Sequence, residues 1–277
     1  KQKTAYEIGV RLVGSEMCIR DRGLGSIEAV ARAKAEIFEG LNQQGTAIIN
    51  ADDCYAPLWR KYAGLRQIID FGLREKARVS ADYSTDPLMN TIQLKLPDGM
   101  ETIQLQTPGV HNVYNALAAA AATTALGIPK ESIASGLECF RGVKGRMQKK
   151  LGLHHALLID DTYNANPESV RAALAVLAST KGKKILILGD MGELGQSTVD
   201  LHRMIGKEAR KAGLDKLLTL GELSAYATAE FGKDAQHFNT LDELLNATEN
   251  LLADDVTLLV KGSRFMQMER IVKQLEI

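Results

Sequence analysis

The chain has 277 residues, room for one large domain or two of ordinary size, and a hydrophobic share of 45% supports a real core. Its 34 basic and 34 acidic residues cancel, which argues against a general nucleic-acid or acidic-membrane surface. Cys18, Cys54 and Cys139 make no metal or disulfide spacing, the longest apolar run (Ala116 to Ala122) is too short for a bilayer, and Arg11 and Glu16 interrupt the only early apolar stretch. A cytoplasmic protein with no membrane insertion and no nucleic-acid partner is the expectation.

Residues 1–22 show no clean helical or strand period. The stretch from Ile8 to Arg22 resembles translated sequencing-adapter read-through; the other reading is an ordinary disordered tail. From Gly23 the pattern becomes orderly. Ser26 to Leu41 predicts a helix, and Thr46–Asn50 and Gln67–Phe71 predict short buried strands. Thr91–Leu96 and Glu101–Gln106 flank Pro97-Asp98-Gly99-Met100, a hairpin signal. Asn112 to Leu126 predicts a helix stopped by Gly127 and Pro129, and Glu131 to Phe140 another. Arg141 to Gly152, rich in glycine and lysine, reads as a linker.

Strict alternation follows. Strands are expected at 156–160, 184–188, 216–220 and 256–260, with a weaker one at 236–238. Helices are expected at 167–179, 199–212, 222–230, 240–252 and 264–275. Strands alternating with helices of this length mean βαβ units and a mostly parallel, Rossmann-like sheet. The first half, opening on a helix without a preceding strand, reads as an incomplete domain.

The most informative run is Asp160-Asp161-Thr162-Tyr163-Asn164-Ala165-Asn166-Pro167-Glu168-Ser169. It joins an apolar strand to an amphipathic helix that Asn166 can cap, with Pro167 at the first helical position and Glu168 favoured by the helix dipole. Loops at the carboxyl ends of parallel strands are where open α/β sheets bind ligands. Gly189-Asp190-Met191-Gly192-Glu193-Leu194-Gly195 also follows a strand. Its GxxGxxG spacing is wrong for a dinucleotide, and Asp190 and Glu193 would repel a pyrophosphate but suit a cation or amine. His202 on the next helix could reach the same cleft. Lys261, Ser263 and Arg264 at the start of the last helix make either an anion site or a plain basic loop.

Three features stand outside that cluster. Lys34 falls on the apolar stripe of Ile27, Val30, Ile37, Phe38 and Leu41: either its stem packs while its head reaches water, or a partly buried amine is open to modification. Asn112 can cap its helix, placing His111 and Asn115 near a positive helix end where amides could read a purine edge. Arg146, after Gly145 in the linker, is either a solvated charge or a guanidinium able to take a phosphate.

In chain order, Gly25-Ser26 with Val30 to Phe38, Asn50-Ala51-Asp52-Asp53, Gly109 to Ala116, Gly145-Arg146, Asp160 to Ser169, Gly189 to Gly195 and Lys261 to Arg264 resemble the Mur ligase family. The Asp-Thr-Tyr-Asn-Ala-Asn-Pro and Gly-Asp-Met-Gly-Glu-Leu-Gly strings favour the branch that joins D-alanyl-D-alanine to UDP-N-acetylmuramoyl-tripeptide in peptidoglycan precursor synthesis. The resemblance implies an α/β chain: residues 1–22 artefactual or disordered, 23–147 a partial central ATPase domain, and 148–277 a complete Rossmann-like C-terminal domain. It implies ATP and Mg2+, an acyl phosphate of the tripeptide carboxylate attacked by the dipeptide amine, and a monomer. Lys34 matches the family's carbamylated lysine, a magnesium ligand, and with Arg146 is the catalytic assignment. His111, Asn112 and Asn115 match positions near the adenine, and Arg146 and Asp161 match nucleotide contacts. Asn164, Asn166, Asp190, Glu193, Lys261, Ser263 and Arg264 are assigned to substrate.

One departure is large. No Gly-x-x-Gly-Lys-Thr phosphate loop occurs in the chain, so the expectation is a fragment that by itself does not turn over ATP. The alternatives are a folylpolyglutamate synthase-like ligase, whose loop would be of an Asp-Gly-Ala-His-Asn-Pro type, or a non-catalytic small-ligand module.

Overall fold

The structure is a computed structural model that describes residues 10–13, 27–86 and 89–277. Two compact units divide the chain, one made of the residues up to Gln106 with Val110–Phe140, the other of Thr107–Gly109 with Arg141–Ile277.

The first unit holds a six-stranded sheet in the order β1 (Val10–Val13), β2 (Thr46–Asn50), β3 (Gln67–Gly72), β4 (Val79–Thr85), β5 (Asn90–Leu96), β6 (Gly99–Leu105). β1 to β4 pair in parallel, and β4, β5 and β6 antiparallel. Period-two alternation divides the sheet's side chains between two cores. Ile48 of β2 joins Ile69, Phe71, Ile92, Leu94 and Ile103 beneath α3 (Val110–Ala125) and α4 (Lys130–Cys139). Its neighbours Ala47 and Ile49 face Ala31, Ala35, Phe38, Trp59 and Ala63 from α1 (Ile27–Ala35), the turn after it, and α2 (Ala56–Ala63). The alanines of α3 carry little volume, so that helix can lie close to the strands; Ala120 and Ala121 are fully buried.

Four elements escaped the sequence reading. β1 lies within residues 1–22, with Val10 opposite Thr46. α2 carries Pro57 in its first turn and buries Ala56, Trp59 and Ala63 at helical spacing. β4 runs parallel to β3 and antiparallel to β5. β7 (Gln148–Leu151) crosses the expected linker. The first helix also differs from its expected span. Ser26 lies outside the described residues, and after Ala35 the chain tightens into a 3-10 turn over Glu36–Phe38. Ile27, expected on its apolar stripe, is exposed.

The second unit has the order β11 (Ala235–Phe238), β10 (Lys216–Leu220), β9 (Lys183–Gly189), β12 (Val256–Lys261), β8 (Leu157–Asp161), β7. Every pairing is parallel except β7 against β8, which matches the mostly parallel Rossmann-like sheet expected. Ile185 and Ile187 face a core with α8 (Leu241–Glu249) and α9 (Glu269–Leu275). Leu186 and Leu188 face α5 (Pro167–Ser179), α6 (Thr198–Lys211) and α7 (Ala225–Phe231). Strands with both faces covered read as continuous apolar runs, as Ile185-Leu186-Ile187-Leu188 does. The last helix is shorter than expected: Arg264–Met266 form a 3-10 turn and Gln267 turns left-handed before α9.

Candidate functional site

Two clusters of the expected site residues form, each within one unit. In the second unit β8, β12 and β9 are neighbours, so the loops leaving their carboxyl ends meet. Asn166 caps α5 as the sequence predicts: its side chain accepts from the Ser169 N–H at 2.8 Å, and the Asn166 N–H donates to Ser169 Oγ at 3.0 Å. Asn164 accepts from the Ala165 N–H at 2.9 Å. The loop is thus shaped by its own amides before any ligand is considered.

Lys261 and Ser263, at the end of β12, brace that loop from within. Lys261 Nζ donates to Asp161 Oδ2 at 2.5 Å and to the Asn164 carbonyl at 2.9 Å, with the ammonium side chain 3% exposed. Asp161 Oδ1 accepts from the Met147 N–H at 3.2 Å. Ser263 Oγ donates to the Ala165 carbonyl at 3.1 Å and accepts from the Gly192 N–H at 2.6 Å, which ties the loops after β8 and β9 together. Both side chains are buried, and their polar atoms serve neighbouring loops.

Asp190 also points inward. Its Oδ1 accepts from the N–H groups of Leu223 and Ser224 at 3.1 and 2.7 Å, just before α7. Glu193 is exposed and held at φ +56°. Arg264 is exposed and pairs with Glu269 at 3.1 Å. His202 is wholly buried on α6. Its Nε2 accepts from the Met191 N–H at 3.0 Å, which requires Nδ1 to carry the proton toward the Thr198 carbonyl 2.7 Å away. Burial pushes its pKa below the ordinary value, against the hydrogen bond to Thr198 and the charge of Asp190. The glycines of this loop answer to packing: a Cβ on Gly189 would meet Met268 Sδ at 2.7 Å, and one on Gly192 would meet Phe265 Cε1 at 2.7 Å.

Arg146 belongs to the same unit. Its guanidinium lies over the Tyr163 ring, with Cζ 4.3 Å from the centroid. Tyr163 entered the sequence reading only as a letter of the Asp-Thr-Tyr-Asn-Ala-Asn-Pro string and was given no role; nothing in that string signals stacking on a residue 17 positions earlier.

In the first unit α3 begins at Val110, two residues before the expected start, after Gly109 at φ +88°. Asn112 is therefore inside the first turn and does not cap the helix. It forms a polar string with its neighbours: Asn112 Nδ2 lies 3.2 Å from His111 Nε2, and Asn115 Nδ2 donates to Asn112 Oδ1 at 3.3 Å. Amides and an imidazole in this order offer both donors and acceptors, the chemistry that reads a base edge.

Beside that string is an anchor the sequence did not disclose. The Asp52 carboxylate, 1% exposed, accepts from Tyr114 Oη at 2.6 Å and from the N–H groups of Leu73 and Glu75 at 2.7 Å each. Burial alone would raise its pKa; the Tyr114 hydroxyl and the backbone N–H groups outweigh that and hold it below the ordinary value. Tyr114 in turn is pushed up to about 12, by burial and then by Asp52. Lys34 is half-buried on α1, between the buried Val30 and Ala35. Among the described residues no three His, Cys, Asp or Glu side chains gather as a metal cluster.

Residues 21–123 match the Mur ligase middle domain, and residues 145–264 match the Mur ligase, glutamate ligase domain. The chain belongs to the Mur ligase family. Its relatives include UDP-N-acetylmuramoyl-tripeptide–D-alanyl-D-alanine ligase of Escherichia coli (strain K12), 36% identical over 92% of this chain and 57% of that protein. The ligase of the same name from Bacillus subtilis (strain 168) is 33% identical over 91% and 56%. Crystal structure I of MurF from Acinetobacter baumannii superposes with a TM-score of 0.85 at 34% identity, covering 96% of this chain and 59% of that one. The chain thus spans less than two thirds of the length of these Mur ligases. The family resemblance expected from the ordered motifs holds, as do the α/β class and the pairing of a middle with a glutamate ligase domain.

Proposed function

We propose that this chain is the nucleotide- and amine-handling part of an ATP-dependent ligase that joins D-alanyl-D-alanine to UDP-N-acetylmuramoyl-tripeptide. The observation that carries the reading is the braced Asp160–Ser169 loop of the Mur ligase glutamate ligase domain, with Arg146 stacked beside it at the carboxyl end of a parallel sheet. His111, Asn112 and Asn115 have the donor and acceptor chemistry to hold the adenine, and the exposed Arg146 guanidinium has the charge and fork to hold a phosphate. In the reaction the tripeptide carboxylate takes a phosphoryl group, and the dipeptide amine displaces phosphate to form the amide. Asn164, Asn166, Glu193 and Arg264 are the side chains proposed to meet the dipeptide. Lys261, Ser263 and Asp190 act from beneath, fixing the loops that carry them, and Asp161 is proposed to sense the nucleotide through the same brace.

Lys34 is proposed as the carbamate ligand of magnesium. We place the protein in the cytoplasm as a monomer; no helix among the described residues is long and apolar enough to cross a membrane, and exposed Cys54 and Cys139 are free thiols, which fits a reducing compartment.

The test is ATP-dependent phosphate release by the complete reading frame that encodes this chain, with two acid and amine pairs: UDP-N-acetylmuramoyl-tripeptide with D-alanyl-D-alanine, and a folate acid with L-glutamate. Release that needs the tripeptide nucleotide and D-alanyl-D-alanine together supports the reading. Release with glutamate and a folate acid in their place, or none with any pair, overturns it. Residues 1–277 alone, having no phosphate-loop string, are expected to release none.

A further inference from the structure

Arg146 reaches its position through an unusual piece of backbone. Gly145 stands at φ +73°, and a Cβ there would meet the Tyr163 N at 3.1 Å and Thr162 Oγ1 at 3.2 Å. The Tyr163 N–H donates to the Gly145 carbonyl at 2.9 Å, and the Arg146 N–H donates to the Val143 carbonyl at 2.9 Å. Met147, at φ +49° and 4% exposed, is pinned on the far side by its N–H to Asp161. The turn 143–147 is therefore fastened by its main chain to the loop after β8. The long Arg146 side chain extends from this turn and is exposed.

The Tyr163 ring lies against that side chain. It is 46% exposed, and the guanidinium carbon stands 4.3 Å from its centroid. A guanidinium held over an aromatic face keeps its N–H groups in the plane parallel to the ring, pointing outward at the edge where a phosphate or carboxylate can be taken in a fork. The stack also removes rotamer freedom that phosphate binding would otherwise have to freeze.

We propose that Tyr163 is a positioning residue for Arg146: its ring face, not its hydroxyl, presents the guanidinium edge-on to a phosphate of the bound nucleotide. This inference rests on the ligase reading above, in which Arg146 takes a nucleotide phosphate.

The experiment compares wild type, Tyr163→Phe, Tyr163→Leu and Arg146→Ala in the complete reading frame. It uses two readouts: KM for ATP with kcat, and the rate of tryptic cleavage after Arg146 without ligand, followed by mass spectrometry. Tyr163→Phe keeps the ring and is expected to match wild type in both. Tyr163→Leu is expected to raise KM for ATP roughly 2- to 5-fold, the equivalent of an exposed cation–π contact, and to speed cleavage after Arg146. Arg146→Ala is expected to lose more than Tyr163→Leu. If Tyr163→Leu equals wild type in KM and in cleavage while Arg146→Ala is impaired, the positioning role is overturned and the ligase reading stands. A Phe variant as poor as the Leu variant overturns it too, because the hydroxyl would then be the active group. If Arg146→Ala has no effect on catalysis, the assignment of Arg146 to the nucleotide fails, and the inference with it.

Discussion

The Lys261 ammonium and the Asp161 carboxylate form a buried ion pair, 2.5 Å between Nζ and Oδ2, across the parallel pairing of β12 and β8. The two residues are direct register partners, so the pair is set by the sheet itself. A third contact, from Nζ to the Asn164 carbonyl, commits the ammonium to the loop that follows. Breaking such a pair from one side leaves an uncompensated charge in a largely buried site. Lys261→Met is expected to destabilise the protein by about 3–5 kcal/mol, measured by denaturant unfolding. Lys261→Met with Asp161→Leu should recover much of that loss, because the cost lies in the stranded carboxylate. A single variant as stable as wild type would show that water reaches Asp161.

Gly221 is fixed by its closeness to Asp190. It stands at φ +115°, and a Cβ there would lie 2.5 Å from Asp190 Oδ1. The same oxygen accepts the N–H groups of Leu223 and Ser224, so it cannot retreat without leaving donors unmatched. Gly221→Ala combines a disfavoured backbone angle with disturbed hydrogen bonds to Asp190, and is expected to cost about 2–4 kcal/mol. Gly213 is the control: it too has positive φ, but nothing lies within 4 Å of its Cβ position. Gly213→Ala should therefore lose only the backbone component, on the order of 1 kcal/mol. Equal losses at the two glycines would dismiss the contact with Asp190.

These two relationships mark where the sequence could be read and where it could not. The alternating second unit was legible because its central strands are apolar runs and several of its helices carry caps or glycine stops: Asn166-Pro167 begins α5 as expected. The site's loops were legible as positions for the same reason, since they follow those strands. The direction of their side chains was not. Lys261, Ser263 and Asp190 look like surface polar residues in a string of letters, and only register places them inward, where β12 lies between β8 and β9. β4 and β7 escaped because Val-Ser-Ala-Asp-Tyr-Ser-Thr and Gln-Lys-Lys-Leu are mostly polar strands whose partners lie elsewhere in the chain. Asp52 was seen only as part of a string, because the N–H groups it gathers come from residues 73–75.

Tyr114 ties α3 to that carboxylate. Its hydroxyl donates to Asp52 at 2.6 Å, and His111, Asn112 and Asn115 lie on the same turns of helix. Tyr114→Phe removes one hydrogen bond to a charged acceptor and is expected to cost about 1.5–3 kcal/mol. The phenol's folded pKa is raised to about 12, above the unfolded value of 10.0. The stability it contributes is therefore complete below pH 10 and is lost as pH rises toward 12. A stability profile measured from pH 8 to 12 should fall more steeply for wild type than for Tyr114→Phe. Parallel profiles would mean that Tyr114 does not donate to a carboxylate.

His202 gives the opposite dependence. Its imidazole must be neutral to accept the Met191 N–H, and burial lowers its pKa from the ordinary 6.5. The unfolded chain therefore binds a proton before the folded one does. The contribution of neutral His202 is complete above pH 6.5 and is lost as pH falls through the lower folded value. The slope of stability against pH from this one group reaches at most about 1.4 kcal/mol per unit. His202→Gln offers an amide oxygen to the Met191 N–H and cannot titrate. Its unfolding free energy should vary less between pH 7 and 5 than that of wild type, while the two differ least at the acid end. Because Met191 lies between Asp190 and Gly192, protonation of His202 should also loosen the β9 loop. Amide hydrogen exchange at Met191 and Gly192 is expected to rise on acidification relative to the intrinsic rate in wild type, and to stay flat in His202→Gln. A wild-type Met191 amide equally protected at both pH values would show that the imidazole is not its acceptor.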